Sequence, residues 1–192
     1  MNLLRIVVVV VFCAAVLTMS AAQNADQLYS EKCASCHAAD GRGHTAAAFI
    51  DAVERTRKRK ISVCAHVILG LPGEDIEDML QTARLLASLD VEAVKIHLLY
   101  VIRGTALEEM YRAGGYTCLS RDGYAAAVGE FLALLRPGTI VQRLTGDPHP
   151  EELVAPAWAL DKQRNLEAVW AYMEQKGLYL GISCVKNRFS SN

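Results

Sequence analysis

The sequence predicts an α/β fold with parallel strands, and three observations predict it. Two apolar runs, Ile61 to Leu71 and Ala93 to Ile102, are rich in β-branched residues and close to continuous, the pattern of strands buried on both faces. Between them Ile76, Met79, Leu80, Ala83, Leu86 and Ala87 recur at the three-and-four spacing of one helix stripe, and a strand, helix and strand at this separation require a right-handed crossover between parallel neighbours. Only 7% of the residues are aromatic, while alanine and leucine abound, which suits helices packed on a sheet better than an all-β fold. In such a fold the loops at the C-terminal ends of the strands carry any chemistry.

The elements follow in order. Residues 1–22 hold one cation, Arg5, an unbroken apolar run from Ile6 to Leu17, and Ser20-Ala21-Ala22 where a signal peptidase reads small residues, so a secretory signal is expected, with an uncleaved membrane anchor as the alternative. Thr45 can cap a helix from Ala46 to Arg59 whose apolar face is Ala46, Phe49, Ile50 and Val53. That helix ends in the basic run Arg55-Thr-Arg57-Lys58-Arg59-Lys60, which complements the helix dipole in water or, more sharply, meets nucleic-acid phosphates. After the first strand, Gly70, Pro72 and Gly73 set a turn, and Glu74 and Asp75 place acids at the next helix N-terminus. Gly104-Thr105 sets a turn and a cap for Ala106 to Arg112, and Gly114 to Leu119 is a loop. Ser120 caps a helix carrying Tyr124, Val128, Phe131, Leu132 and Leu135, which stops at Arg136-Pro137-Gly138. Thr139 to Leu144 is a short strand, Thr145 to Pro156 a loop, and Asp161 to Lys176 a last helix stopped by Gly177. The domain plan is therefore 1–22 signal, 23–43 a short C-x-x-C-H segment, 44–180 the α/β unit and 181–192 a tail.

The totals narrow the function classes. A chain of 192 residues has room for one ordinary domain, and a net charge of −1 argues against a general polyanion binder. Six cysteines are too few and too unevenly spaced for a disulfide framework.

HVILGLPGE at 66–74, KIHLLYVIRGT at 95–105 and RLTGDPHPEELVAPAW at 143–158 resemble, in that order and spacing, the later half of a radical S-adenosylmethionine (SAM) protein of the YhcC-like branch. The resemblance covers residues 41 to about 180. It implies that the α/β unit is part of an open (βα) barrel, that Ile68 and Gly70 lie on the adenosine side of the cofactor, and that Lys95, His97 and Arg103 face the barrel mouth. It also implies SAM and a [4Fe–4S] cluster as cofactors, and a transfer RNA as a conceivable partner. Lys60 stands where relatives commonly have the glycine that closes a helix in left-handed geometry.

NADQLYSEKCASCHAADGRG at 24–43 is similar to the opening helix and haem-attachment loop of a class I c-type cytochrome. Two thiols at this spacing, Cys33 and Cys36, would add to the haem vinyl groups while His37 reaches the iron. A redox dithiol or half a zinc site is the alternative for the same residues. Met79, Met110 and Met173 all fall on predicted helices, so a haem c here would lack a methionine opposite His37 unless His44 or another group served.

A radical SAM enzyme holds its cluster with cysteines spaced C-x3-C-x2-C, and this sequence has no such triplet; Tyr29 stands where Cys33 and Cys36 would need a third thiol. Cys64 in a strand and Cys118 in a loop are expected to be packing residues or free thiols. His66 and His97 alternate with apolar neighbours, which favours hydrogen-bonded core histidines over ligands. Lys95 on the same face as His97 is less easily buried without a partner, and the two suit a substrate carboxylate or phosphate. Asp147 and His149 form either one end of a polar cluster there or an ordinary Asx turn. The expected function is a radical SAM-type oxidoreductase module without its cluster-bearing half and inactive alone. The competing expectations are an exported haem-binding electron carrier and an inactive chimeric fragment. A half barrel exposes a sheet edge, so pairing with a complementary chain or a second copy is expected. The signal and haem motif point outside the cytoplasm, SAM chemistry inside it.

Overall fold

The structure, a computed structural model, describes residues 46–181. The chain divides into two compact units, residues 1–52 and 53–192. The described part of the first is the opening of a helix, α1 (Ala46–Lys58). The predicted signal and the Cys33, Cys36, His37 motif lie outside the described residues.

Local signals set the elements of the second unit. After α1 the chain reverses at Lys60, which takes the left-handed φ of 60° itself, so this lysine adopts the cap geometry that usually belongs to glycine. Strand β1 (Cys64–Leu69) leads to the GLPGE turn and α2 (Ile76–Ser88). There Asp75 and Asp78 form a reciprocal capping box in which each side chain accepts from the other's backbone N–H. β2 (Ala93–Leu98) returns parallel to β1, pairing Cys64 with Ala93 through Leu69 with Leu98. β3 (Val101–Ile102) and α3 (Ala106–Arg112), capped by Thr105, follow. α4 (Arg121–Leu134), capped by Ser120, leads to β4 (Ile140–Arg143), which lies parallel to β2 on its other side. β5 (Leu153–Ala155), a 3-10 turn (Ala157–Leu160) and α5 (Lys162–Lys176), capped by Asp161 and ended by Gly177 in left-handed geometry, complete the unit.

The sheet order is β1-β2-β4, with β3 and β5 forming a separate antiparallel pair. One sheet face carries Ala65, Val67, Leu69, Val94, Ile96 and Leu98 into a core shared with Met79, Ala83 and Leu86 of α2 and Tyr124, Val128 and Phe131 of α4. α4 is the central helix, packed between α2 and α5. A Cβ at Gly129 would stand 2.8 Å from the Tyr172 ring, so the close approach of α5 depends on that glycine. About 25 cal/mol per Å² of apolar surface removed from water drives this assembly.

Three expectations are corrected. β1 is not buried on both faces: its burial alternates, with His66 and Ile68 exposed, because the helices among the described residues cover one face only. The run from Ala93 to Ile102 is not one strand: it breaks at Leu99-Tyr100, and Val101 leaves the parallel sheet to pair with Ala155. The predicted loop from Thr145 to Pro156 contains β5, a three-residue strand that among the described residues pairs with β3 alone. Among the described residues the parallel sheet has three strands.

Candidate functional site on the open sheet face

In a parallel pair, residues in register point to the same side. His66 is opposite Lys95, Ile68 opposite His97, and Lys95 opposite Arg143 after an irregularity between Val94 and Lys95. His66, Lys95 and Arg143 therefore form one row across the three strands, and Ile68 and His97 form the next. All five lie on the face that no described helix covers. Ile68 is 45% exposed and Ile140, at the start of β4, 61%. The His66 and His97 rings face each other with centroids 5.7 Å apart.

The charge on this face is one-sided. Lys95 is half-buried and, among the described residues, its ammonium group makes no ion pair or hydrogen bond. Arg143 reaches only Asp147 at 4.0 Å, and that carboxylate oxygen already accepts from Lys162 Nζ at 2.8 Å. Burial pushes the His97 imidazole below its usual range, and Arg143, His66 and Lys95 push it further the same way. The prediction that His66 and His97 are core histidines is thus corrected: they stand on the open face, because alternation along a strand marks two faces without saying which is covered.

Above the strand ends, the loop after β1 is fixed from a distance. Gly70 has a φ of +86°, and its carbonyl accepts from the buried Tyr116 hydroxyl at 2.8 Å. A Cβ on Gly70 would stand 3.0 Å from Leu119 Cδ1. Burial pushes the Tyr116 phenol up to about 12 and raises the half-buried Cys118 thiol as well. Tyr124 donates to Leu144 O at 2.6 Å below the loop after β4, and Trp158 Nε1 to Leu119 O at 3.2 Å. Arg103 lies elsewhere: it is exposed beyond β3, and its backbone N–H donates to Glu152 O at 2.8 Å. The His149 carbonyl accepts from Glu152 and Leu153. Of the basic run, Arg57 turns inward to Leu89 O, Asp90 and Glu92. A cleft of about 490 Å³ beside it, lined by Lys60, Ser62, Leu89 and Glu92, opens at the N-terminal ends of the strands, away from the open face.

The donor set decides what the described residues can hold. Cys64 and Cys118 are both free and half-buried, and among the described residues no group of three or more His, Cys, Asp or Glu is placed to hold a metal ion. A [4Fe–4S] cluster therefore does not fit residues 46–181. On the open face, exposed Ile68 offers an apolar surface at the C-terminal end of β1. The sequence pointed to Lys95 and His97 and missed Arg143 and Tyr116. Arg143 carried a signal, its place in the RLTGD motif at a strand end; Tyr116 carried none, since its partner is 46 residues away.

The parallel sheet with one helix-covered face and one open, basic face lies in a stretch of which residues 91–175 match the Radical_SAM C-terminal domain. The relatives place it more closely. The chain is 43% identical over 141 residues to the protein MJ0486 of Methanocaldococcus jannaschii, covering 73% of this chain and 44% of that one. It is 27% identical to protein YhcC of Escherichia coli, covering 71% of this chain and 44% of that one. Among solved structures, the Elp3 of Methanocaldococcus infernus with an N-terminal deletion shares the fold, with a TM-score of 0.63 at 23% identity over 72% of this chain and 33% of that one. The chain spans less than half the length of these proteins.

Proposed function

We propose that residues 44–180 supply one wall of a radical SAM-type oxidoreductase site, the wall that faces the adenosyl group and the substrate. The single observation that carries this reading is the uncovered face of β1, β2 and β4, where apolar Ile68 and Ile140 and basic His66, Lys95, His97 and Arg143 stand together. When bound beside a reduced [4Fe–4S] cluster, SAM supplies chemistry that removes a hydrogen atom from an unactivated carbon. This chain's residues would bind and orient. Ile68 packs against the adenine, the Gly70 turn, pinned by Tyr116, sets the rim, and Lys95 with His97 meets an anionic part of the substrate. The cluster would be held by thiols outside residues 46–181. The proposal thus includes a complementary chain or a second copy at the edge of β1 that is unpaired among the described residues, and no reductive cleavage by this chain alone.

The test is titration of S-adenosylhomocysteine into isotope-labelled full chain. Saturable shifts at Ile68 and Gly70, abolished by Ile68→Glu, are expected. No shift, or shifts confined to the cleft beside Arg57 and Lys60, would overturn the reading.

The Cys33-x-x-Cys36-His37 spacing favours a second reading, an exported haem c carrier with the 1–22 segment as its signal. Coexpression with haem-maturation machinery then gives a covalent haem that Cys33→Ala and Cys36→Ala together remove; colourless protein refutes it.

A further inference from the structure

We propose that the open sheet face holds the phosphoryl group of a phosphorylated small molecule, clamped by Lys95 and Arg143 with the His66 and His97 imidazoles as the remaining donors. This rests on the reading of that face as ligand-facing and names the ligand's chemistry.

Placement comes first. Lys95 is in register with His66 on one side and Arg143 on the other, and neighbouring strands lie about 4.8 Å apart. His97 is two residues further along the same face, roughly 6.6 Å away, with its ring 5.7 Å from that of His66. Four basic groups thus surround a patch about 10 Å wide, the scale of one phosphate ester with room for its first substituent.

The missing counter-charge comes second. A lysine held half-buried on a strand for packing alone would stabilise the fold better as an apolar residue, or with an acid beside it. Lys95 has no acid paired with it among the described residues, and Asp147, 4.0 Å from Arg143, already pairs with Lys162 at 2.8 Å. The groups that face His97 from β1, β2 and β4 are His66, Lys95 and Arg143, all basic. Such a cluster is balanced by an anion that arrives from outside.

The number and kind of donors select the anion. A carboxylate is planar and is satisfied by two donors in one fork, whereas a phosphate presents three oxygens in different directions and more than one negative charge. Lysine serves as a point-charge phosphate binder and arginine as the planar fork. The imidazoles then make the grip sensitive to pH. Unliganded, burial and the cationic neighbours of His97 oppose its protonation; a dianion beside it reverses that field, so binding takes up a proton and tightens as pH falls from about 8 towards 6.5. Below about 6 the phosphate itself takes a proton and the gain stops.

The experiment follows the His66 and His97 ring resonances of the full chain through a pH titration, with inorganic phosphate, adenosine monophosphate or acetate at matched ionic strength. Phosphate and the monophosphate are expected to move both ring resonances and to raise the His97 titration midpoint by about half a unit or more. Lys95→Gln and Arg143→Gln should each weaken binding about tenfold, with the core methyl resonances of Val94 and Ile96 reporting an intact fold, while Lys95→Arg retains binding. His66→Asn with His97→Asn should weaken phosphate binding most at the acidic end of the range and flatten its pH dependence. Equal shifts with acetate would overturn the phosphate assignment, and unmoved imidazoles, or shifts that survive Lys95→Gln combined with Arg143→Gln, would overturn the site. If S-adenosylhomocysteine still perturbs Ile68 while phosphate leaves both imidazoles unmoved, this inference fails and the adenosyl-facing wall stands.

Discussion

Asp90 ties three separate stretches of chain at the N-terminal end of the sheet, and replacing it with asparagine isolates what its charge does. Its carboxylate accepts from Arg57 Nη2 at 3.0 Å and pairs with Arg136 through its other oxygen. Arg57 also donates to Leu89 O at 2.6 Å and approaches Glu92 at 3.6 Å. The carboxylate thereby joins the end of α1, the turn before β2 and the turn before β4. Asp90 has a φ of 54°, a conformation that asparagine tolerates as well as aspartate does. Asp90→Asn therefore keeps the backbone and removes only the charge.

The magnitude follows from exposure. The Arg57, Asp90 and Arg136 side chains keep 34% to 46% of their surface in water, so each pair falls near the upper end of the range for surface ion pairs, about 0.5–1 kcal/mol, and the two together about 1–1.5 kcal/mol. With a urea slope of about 1.5 kcal/mol per molar, the midpoint should fall by about 0.7–1 M at pH 7. The pH dependence gives the sign. The Arg57 hydrogen bond, against some opposition from burial, and then the charges of Arg136 and Arg57 hold this carboxyl below its ordinary value of 3.8. The native chain's advantage over Asp90→Asn is thus complete above the ordinary value and lost as pH falls through the lowered one. Urea unfolding followed by Trp158 and Trp170 fluorescence at pH 7 and at pH 2 tests this. A midpoint shift under 0.2 M at pH 7 would refute the clamp, and a full-sized difference surviving at pH 2 would show that shape rather than charge matters.

Three further outcomes follow from single contacts. Tyr116→Phe leaves the Gly70 carbonyl without its 2.8 Å donor and should cost about 1–2 kcal/mol. Because burial raises that phenol from 10.0 to about 12, the native chain loses stability as pH rises from 10 to 12, a loss the phenylalanine variant lacks, and paired urea curves at pH 9 and 11.5 measure it. Gly70→Ala imposes a Cβ at a φ of +86° and 3.0 Å from Leu119, so it should destabilise by about 1–2 kcal/mol; an unchanged urea midpoint would count against the turn geometry. Lys60→Gly relieves a φ of 60° and should stabilise by about 0.5–1 kcal/mol, while a lower melting temperature would contradict the left-handed cap.

What was legible in the sequence was local. The Asp75–Asp78 capping box, the Thr105 and Ser120 caps and the Gly177 stop involve residues a few positions apart, so the pattern that announces them is also the contact that forms. β5 was not legible, because three residues carry no period and owe their strand state to Val101 and Ile102 on the other side of α3 and α4. Arg57 read as one cation of a solvated run because Asp90, 33 positions on, is invisible to any local window. The same limit hid the hydroxyl that pins Gly70.

The histidines show where pattern reading fails and why the failure is informative. A strand with apolar residues on both sides of the pleat, as Cys64–Leu69 is, asks for cover on both faces, and the sequence was read in those terms. α2 and α4 pack on one side, leaving Ile68 and Ile140 largely in water on the other beside unpaired Lys95. A sheet face meant for solvent would present polar residues at these apolar positions, and one meant for a plain core would not present Lys95, His97 and Arg143 in adjacent rows. The mixture fits a third condition, a face that meets a ligand with apolar and anionic parts, and that is why the open face, rather than the cleft beside Arg57, carries the functional reading.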